Sequence, residues 1–90
     1  MLSTGQKTVT TSGVRVQLGT GIVNSPVLIK APTTNSGIVY VGNSNVNSLV
    51  GFGLSAGQQV EIKEVGNLGN IYLDSSINNQ TAYWIAFDEV

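Results

Sequence analysis

Apolar and polar residues alternate with a period of two along most of this chain, and this pattern constrains the fold more than any other feature. Over 58–65, the apolar Val60 and Ile62 alternate with the charged Glu61 and Lys63. A period of two places the apolar residues on one face of a strand, whereas a helix requires spacings of three and four. Helical spacing is almost absent elsewhere. The chain is therefore predicted to be all-β.

The predicted strands are short and are separated by turns rich in Gly, Asn, Ser and Pro. They cover 8–11, 14–18, 27–31, 38–41, 58–65, 71–74 and 82–87. In the second of them, Val14, Val16 and Leu18 are expected on one face. No helix is predicted that could connect parallel strands, so the strands should pair antiparallel. We predict a single small antiparallel β-sandwich, jelly-roll-like, or a partly open barrel, with about seven to eight short strands.

The length of 90 residues suits one domain with a small core. We predict a flexible N-terminal arm over 1–7 and a single β domain over 8–90. The chain contains no cysteine, so no disulfide can stabilise it. Small cores without disulfides often gain stability by oligomerisation, and a homo-oligomer or a part docked on a larger body is expected.

The side chains that most enzymes use for catalysis are missing. The chain contains neither histidine nor cysteine, so its many hydroxyl groups lack the usual general base. The carboxylates are dispersed: Asp74 ends a predicted strand, and Glu61 and Glu64 fall on opposite faces of another. Such an arrangement favours neither a paired-carboxylate site nor a calcium site. We therefore predict a protein that is not an enzyme, with no catalytic residue, no metal and no cofactor.

Charged residues are few, with four Lys or Arg against five Asp or Glu. A protein that binds nucleic acid needs several cations directed at phosphates, and no apolar run here is long enough to cross a bilayer. Neither nucleic acid nor a membrane is expected as a partner. A weakly charged surface of Ser, Thr, Asn and Gln gives little repulsion and permits association with other proteins.

The stretch 42–54 begins with Gly and Asn residues that suit turns and ends with large apolar residues. The candidate protein-contact residues in it are Leu49, Val50, Phe52 and Leu54. They form either a lid over one open end of the sandwich or a patch that contacts a partner. Trp84 is a fifth candidate, because it and its neighbour Tyr83 point to opposite sides of one strand. At least one of the two should be exposed or covered by a partner.

Three segments together cover nearly the whole chain: KTVTTSGVRVQL, VLIKAPTTNSGIVYVGNSNVNSLVGFGLSAGQQVEI and NLGNIYLDSSINNQTAYWIAF. They contain the spacings Gly53-Leu54-x-x-Gly57-x-x-Val60 and Ile71-Tyr72-x-Asp74. In these segments the chain resembles the short all-β structural proteins of tailed bacteriophages, and most of all their capsid decoration or cement proteins. The resemblance includes no catalytic signature.

This resemblance implies a virion protein on the capsid exterior, made in the cytoplasm of a bacterial host. It would bind the outer shell and stabilise contacts between major capsid subunits. Its partners would be the major capsid protein, or another virion protein, and itself as a homotrimer or homodimer. The alternative is a small tail, baseplate or fibre component, or a host-surface carbohydrate-binding module. Residues 1–7 lack the apolar core of a signal peptide, so we expect synthesis in the cytoplasm.

Overall fold

Ten short strands form the fold in the computed structural model, which describes residues 2–87. The strands are β1 (Ser3–Val9), β2 (Val16–Gln17), β3 (Ile22–Val23), β4 (Val27–Lys30), β5 (Val39–Gly42), β6 (Phe52–Leu54), β7 (Gln59–Ile62), β8 (Gly66–Asn67), β9 (Tyr72–Ser75) and β10 (Gln80–Ala86). Within 2–87, a 3-10 helix at Leu68–Asn70 is the only helical element. All pairs of neighbouring strands are antiparallel. The prediction of an all-β antiparallel fold is confirmed.

The first sheet, sheet I, has the strand order β1-β10-β4-β7. Directly opposed residues share a face, and the row Trp84–Ile29–Val60 crosses three strands on the inner face. The neighbouring row, Tyr83–Lys30–Gln59, points to the opposite face. The residues of the first row are buried or packed against the core, so the inner face of sheet I contributes to it.

The second sheet, sheet II, has the order β2-β9-β5-β6, and a separate two-stranded ribbon joins β3 to β8. In sheet II, Val39 is opposite Leu54, and Val41 is opposite Leu73. All four of these side chains are buried in one core cluster, which also contains the inner residues of sheet I. The two sheets therefore form a β-sandwich around a shared apolar core.

The N-terminal segment differs from the prediction. Ser3–Val9 forms β1, which pairs with β10 along its whole length, so residues 3–7 are part of the sheet and not an arm. Its sequence, STGQKTV, is mostly polar because β1 is an edge strand with largely exposed side chains. The local sequence does not reveal this strand, because it is held by hydrogen bonds to β10 at the other end of the chain. Residue 1 of the expected arm and residues 88–90 of the expected domain lie outside the described residues.

Two other strand predictions change. The strand predicted over 14–18 is reduced to Val16–Gln17, because Val14 belongs to a turn in which its N–H donates to the Thr11 carbonyl at 3.1 Å. Val14 is accordingly exposed, whereas Leu18 reaches the core. The stretch 42–54, for which no strand is predicted, contains β6, an edge strand of sheet II. With β3 and β8, which also lie outside the predicted ranges, the strands number ten instead of about seven to eight.

Candidate contact surface

The connection between β5 and β6, residues 43–51, is ordered by its own asparagine side chains. The Oδ1 of Asn43 accepts from the Asn45 N–H at 2.9 Å, and the Oδ1 of Asn47 accepts from the Leu49 and Val50 N–H groups at 2.8 and 3.1 Å. Asparagine suits such turns because its short side chain bonds the backbone two or three residues ahead. The loop therefore holds a defined shape without help from a partner.

The side chain of Val46 packs this loop against the sandwich. Its side chain is 1% exposed and packs against Gly42 and Gly51. A Cβ atom at Gly42 would stand 3.0 Å from Val46 Cγ2, and one at Gly51 would stand 2.9 Å from the same atom. Because both positions are glycine, the loop can lie directly on the strands on either side of it.

Three large apolar side chains of this connection and of β6 point into solvent. Leu49 is 90% exposed, Val50 69% and Phe52 60%. We call these three residues the apolar patch. An ordered loop that presents adjacent apolar residues to water incurs a hydration cost that a covering partner would remove.

An apolar cleft of about 290 Å³ adjoins the apolar patch. It lies where β6, the edge strand of sheet II, approaches β7, the edge strand of sheet I. Its apolar lining comprises Val41, Phe52, Val60, Ile62, Val65 and Ile71. Phe52 thus belongs both to the patch and to the wall of the cleft, so the two features form one continuous surface at the open side of the sandwich.

The remaining two candidate contact residues are placed differently. Leu54 is 1% exposed and packs in the core opposite Val39, so the contact role expected for it is corrected to a core role. Phe52 and Leu54 lie on the same face of β6, but Leu54 is opposite the buried Val39, whereas Phe52 stands at the start of the strand and lines the apolar cleft. Trp84 is half-buried and packs against the core, where its indole covers Gly5 of β1.

Tyr83 is the exposed member of the aromatic pair, as the alternation of β10 requires. Its side chain is 45% exposed on the outer face of sheet I, opposite Lys30. With Leu28 and Ile85 it lines a shallow depression of about 190 Å³. The side chains of Tyr83 and Trp84 therefore lie on opposite faces of β10.

Among the acidic residues of 2–87, Asp74 is the one that is buried, with 4% of its surface exposed. Its Oδ1 accepts from the Gly13 N–H at 2.9 Å and from the Ser75 N–H at 2.8 Å, and so ties the 10–15 turn to β9. Over residues 2–87, no group of three or more acidic side chains is placed to hold a metal ion. No helix in that part of the chain is long and apolar enough to cross a membrane.

No protein-family model matches this chain, and no curated protein matches it. Among solved structures, the chain is similar to IMPa from Pseudomonas aeruginosa, which was solved in complex with an O-glycopeptide. The TM-score is 0.62 and the sequence identity is 14%. The match covers 100% of this chain but only 12% of the IMPa chain. At this identity the likeness shows the fold alone: the same sandwich occurs as a small segment of a much longer protein.

Proposed function

We propose that this protein is a non-enzymatic structural protein of a tailed bacteriophage, and specifically a capsid decoration or cement protein. The observation that supports this proposal most directly is the apolar patch beside the apolar cleft. Exposed apolar patches next to a groove are typical of surfaces that other proteins cover. The resemblance in sequence to small virion proteins then gives the class of partner.

The scarcity of charge suits the same function. Charged groups are costly to desolvate, and the centres of protein interfaces are depleted in them. The patch and the cleft contain a single charged residue, Glu64. Leu49 and Phe52 can therefore be buried against a partner without loss of hydration from many charges.

In this role the protein binds the exterior of the capsid and joins major capsid subunits, with self-association into a dimer or trimer. Symmetric association adds buried area to a small core and stabilises the folded chain by mass action. A tail, baseplate or fibre component would use the same surface against a different virion protein.

Light scattering coupled to gel filtration and co-sedimentation test this proposal together. The purified chain is mixed with expanded capsids of the phage or prophage that encodes it, and in parallel with its isolated tails. We expect an oligomer that sediments with capsids at saturating stoichiometry. Sedimentation with tails alone would move the protein to the tail. A strict monomer that sediments with neither would overturn the virion role.

A carbohydrate-binding module is the second candidate. The observation that favours it is the likeness of the whole chain to a segment of IMPa, a protein solved in complex with an O-glycopeptide. A glycan array probed with the chain, presented multivalently to gain avidity, tests this candidate. Binding to no glycan by the multivalent form would exclude it, independently of the result with capsids.

A further inference from the structure

A second cavity, also of about 290 Å³, opens on the outer face of sheet II. Its floor contains Tyr40 and Asp74, which are directly opposed on β5 and β9. Their neighbours along the strands, Val39 and Leu73, are buried in the core, so Tyr40 and Asp74 point away from it. The walls are the 12–15 segment, with Arg15, and the 46–48 segment, with Asn47. We call this space the polar cavity.

Both walls of the polar cavity are fixed by hydrogen bonds. Ser12 Oγ donates to the Ser75 carbonyl at 2.7 Å, and Gly13 N–H donates to Asp74 Oδ1 at 2.9 Å. On the other side, the Oδ1 of Asn47 holds the backbone of its own loop. A ligand would therefore meet a preformed site and would not have to order these segments, which reduces the cost of binding.

The carboxylate of Asp74 has a free oxygen. Both of its hydrogen bonds end on Oδ1, and no other residue of 2–87 donates to its side chain. Every fully buried side-chain nitrogen or oxygen in that range has a partner, so Oδ2 must reach the space of the polar cavity. A carboxylate that is so little exposed gains strongly from a ligand that donates hydrogen bonds to it.

The other polar groups complement this acceptor. Arg15 is exposed, offers five N–H donors and makes no hydrogen bond or ion pair with the described part of the chain. The side-chain amide of Asn47 offers donors, and Tyr40 offers both a hydroxyl group and an aromatic ring. One carboxylate and one guanidinium balance each other in charge. An anion such as phosphate would be repelled by Asp74, and a cation by Arg15.

A ligand that fits this lining is small and neutral, and carries hydroxyl groups, which both donate and accept hydrogen bonds, around an apolar ring. A sugar has this structure. We propose that the polar cavity binds a neutral saccharide unit, with Asp74 Oδ2 accepting from hydroxyl groups of the sugar. Arg15 donates to its oxygens, and Tyr40 supplies apolar surface. The inference rests on the second candidate function and names its site; it does not depend on the capsid role.

The test is a titration of the isotope-labelled chain with methyl glycosides of neutral hexoses and N-acetylhexosamines, followed by amide NMR shifts. We expect saturable shifts that centre on the amides of Gly13, Asn47 and Ser75. Asp74→Asn keeps an oxygen for the Gly13 and Ser75 N–H groups and replaces only the free oxygen by an NH₂ group. It should fold and bind at least tenfold more weakly. Arg15→Gln, at an exposed position, should weaken binding as well.

Glu61→Gln is the matched control, because it removes the same charge from an exposed position on β7 and should leave binding unchanged. Unaltered affinity in Arg15→Gln and in a folded Asp74→Asn would overturn the polar cavity as the site, while carbohydrate binding itself would stand. Shifts centred on Tyr83 would place the sugar on sheet I and overturn the inference in the same way. No shift with any of these glycosides would overturn the polar cavity as a saccharide site, whereas the glycan array decides the second candidate itself and the capsid experiment is unaffected.

Discussion

Asn35 pairs with Thr81 as a strand residue would. Its Nδ2 donates to the Thr81 carbonyl at 2.8 Å, and its Oδ1 accepts from the Thr81 N–H at 3.0 Å. The register of β4 against β10, with Lys30 opposite Tyr83, would bring Pro32 opposite Thr81 if it continued. Proline has no N–H to donate. The side-chain amide of Asn35 therefore completes the ladder at the point where β4 ends.

Replacement of Asn35 by alanine should destabilise the fold by roughly 1–3 kcal/mol, because both backbone groups of Thr81 lose a partner. Asn35→Asp retains the acceptor and loses the donor, so its effect should have the same sign. Urea denaturation measures the difference. Asn45→Ala, at an exposed loop position whose side chain makes no hydrogen bond within 2–87, is the control and should change stability little. An equal loss in both alanine variants would contradict the role of Asn35.

Truncation of Leu54 to alanine should lower the unfolding free energy much more than truncation of Leu49, although both residues come from the stretch 42–54. Leu54 is 1% exposed and Leu49 is 90% exposed. Leu54→Ala leaves a void in the core and should cost about 2–5 kcal/mol. Leu49→Ala should stay within about 0.5 kcal/mol of the parent. Thermal and chemical denaturation of the two variants provide the comparison, and a large loss in Leu49→Ala would mean that the loop packs inward.

The strands that the sequence predicts well are those whose alternate residues reach the core. Over 27–31 and 58–65, apolar side chains recur every second residue, and the structure has β4 and β7 there. Two edge strands, β1 and β6, were not predicted at their observed positions. β1 is mostly polar, and β6 contains only two alternating apolar residues, Phe52 and Leu54, which is too short a pattern to indicate a strand. Their pairing depends on partners that are distant in the chain, which local patterns do not encode.

The two candidate surfaces also differ in whether the sequence predicts them. The apolar patch could be located from the sequence, because Leu49, Val50 and Phe52 stand out in a polar, Gly-rich stretch. The polar cavity could not. Arg15, Tyr40 and Asp74 come from three separate segments, and each has an ordinary explanation as a strand or turn residue. The pairing of β9 with β5 on one side and with β2, which follows Arg15, on the other brings them together.

Residue 5 must be glycine because the indole of Trp84, on the adjacent strand, occupies the space that a side chain would need. A Cβ at Gly5 would stand 2.7 Å from Trp84 Cε2, whereas a Cβ at Gly19 would stand 3.7 Å from Trp84 Cζ2. Gly5→Ala should therefore displace the ring and cost about 1–3 kcal/mol through overpacking. Gly19→Ala is the control on the same ring, and should be neutral or slightly stabilising. Denaturation gives the stability, and the fluorescence of the single Trp reports its environment; an unchanged Gly5→Ala variant would contradict this packing.

Phe52 should contribute more to assembly than to folding if the apolar patch contacts a partner. It is 60% exposed at the edge of sheet II, so little of its burial depends on the isolated fold. Phe52→Ser should weaken oligomerisation or capsid binding at least tenfold, about 1.4 kcal/mol, and lower the unfolding free energy by less than about 1 kcal/mol. Light scattering, co-sedimentation and thermal melting measure these quantities side by side. Val14→Ser is a matched control, since Val14 is 59% exposed in a different turn and should leave assembly intact. If Phe52→Ser lost melting temperature and assembly in equal measure, Phe52 would instead be a lid over the apolar cleft.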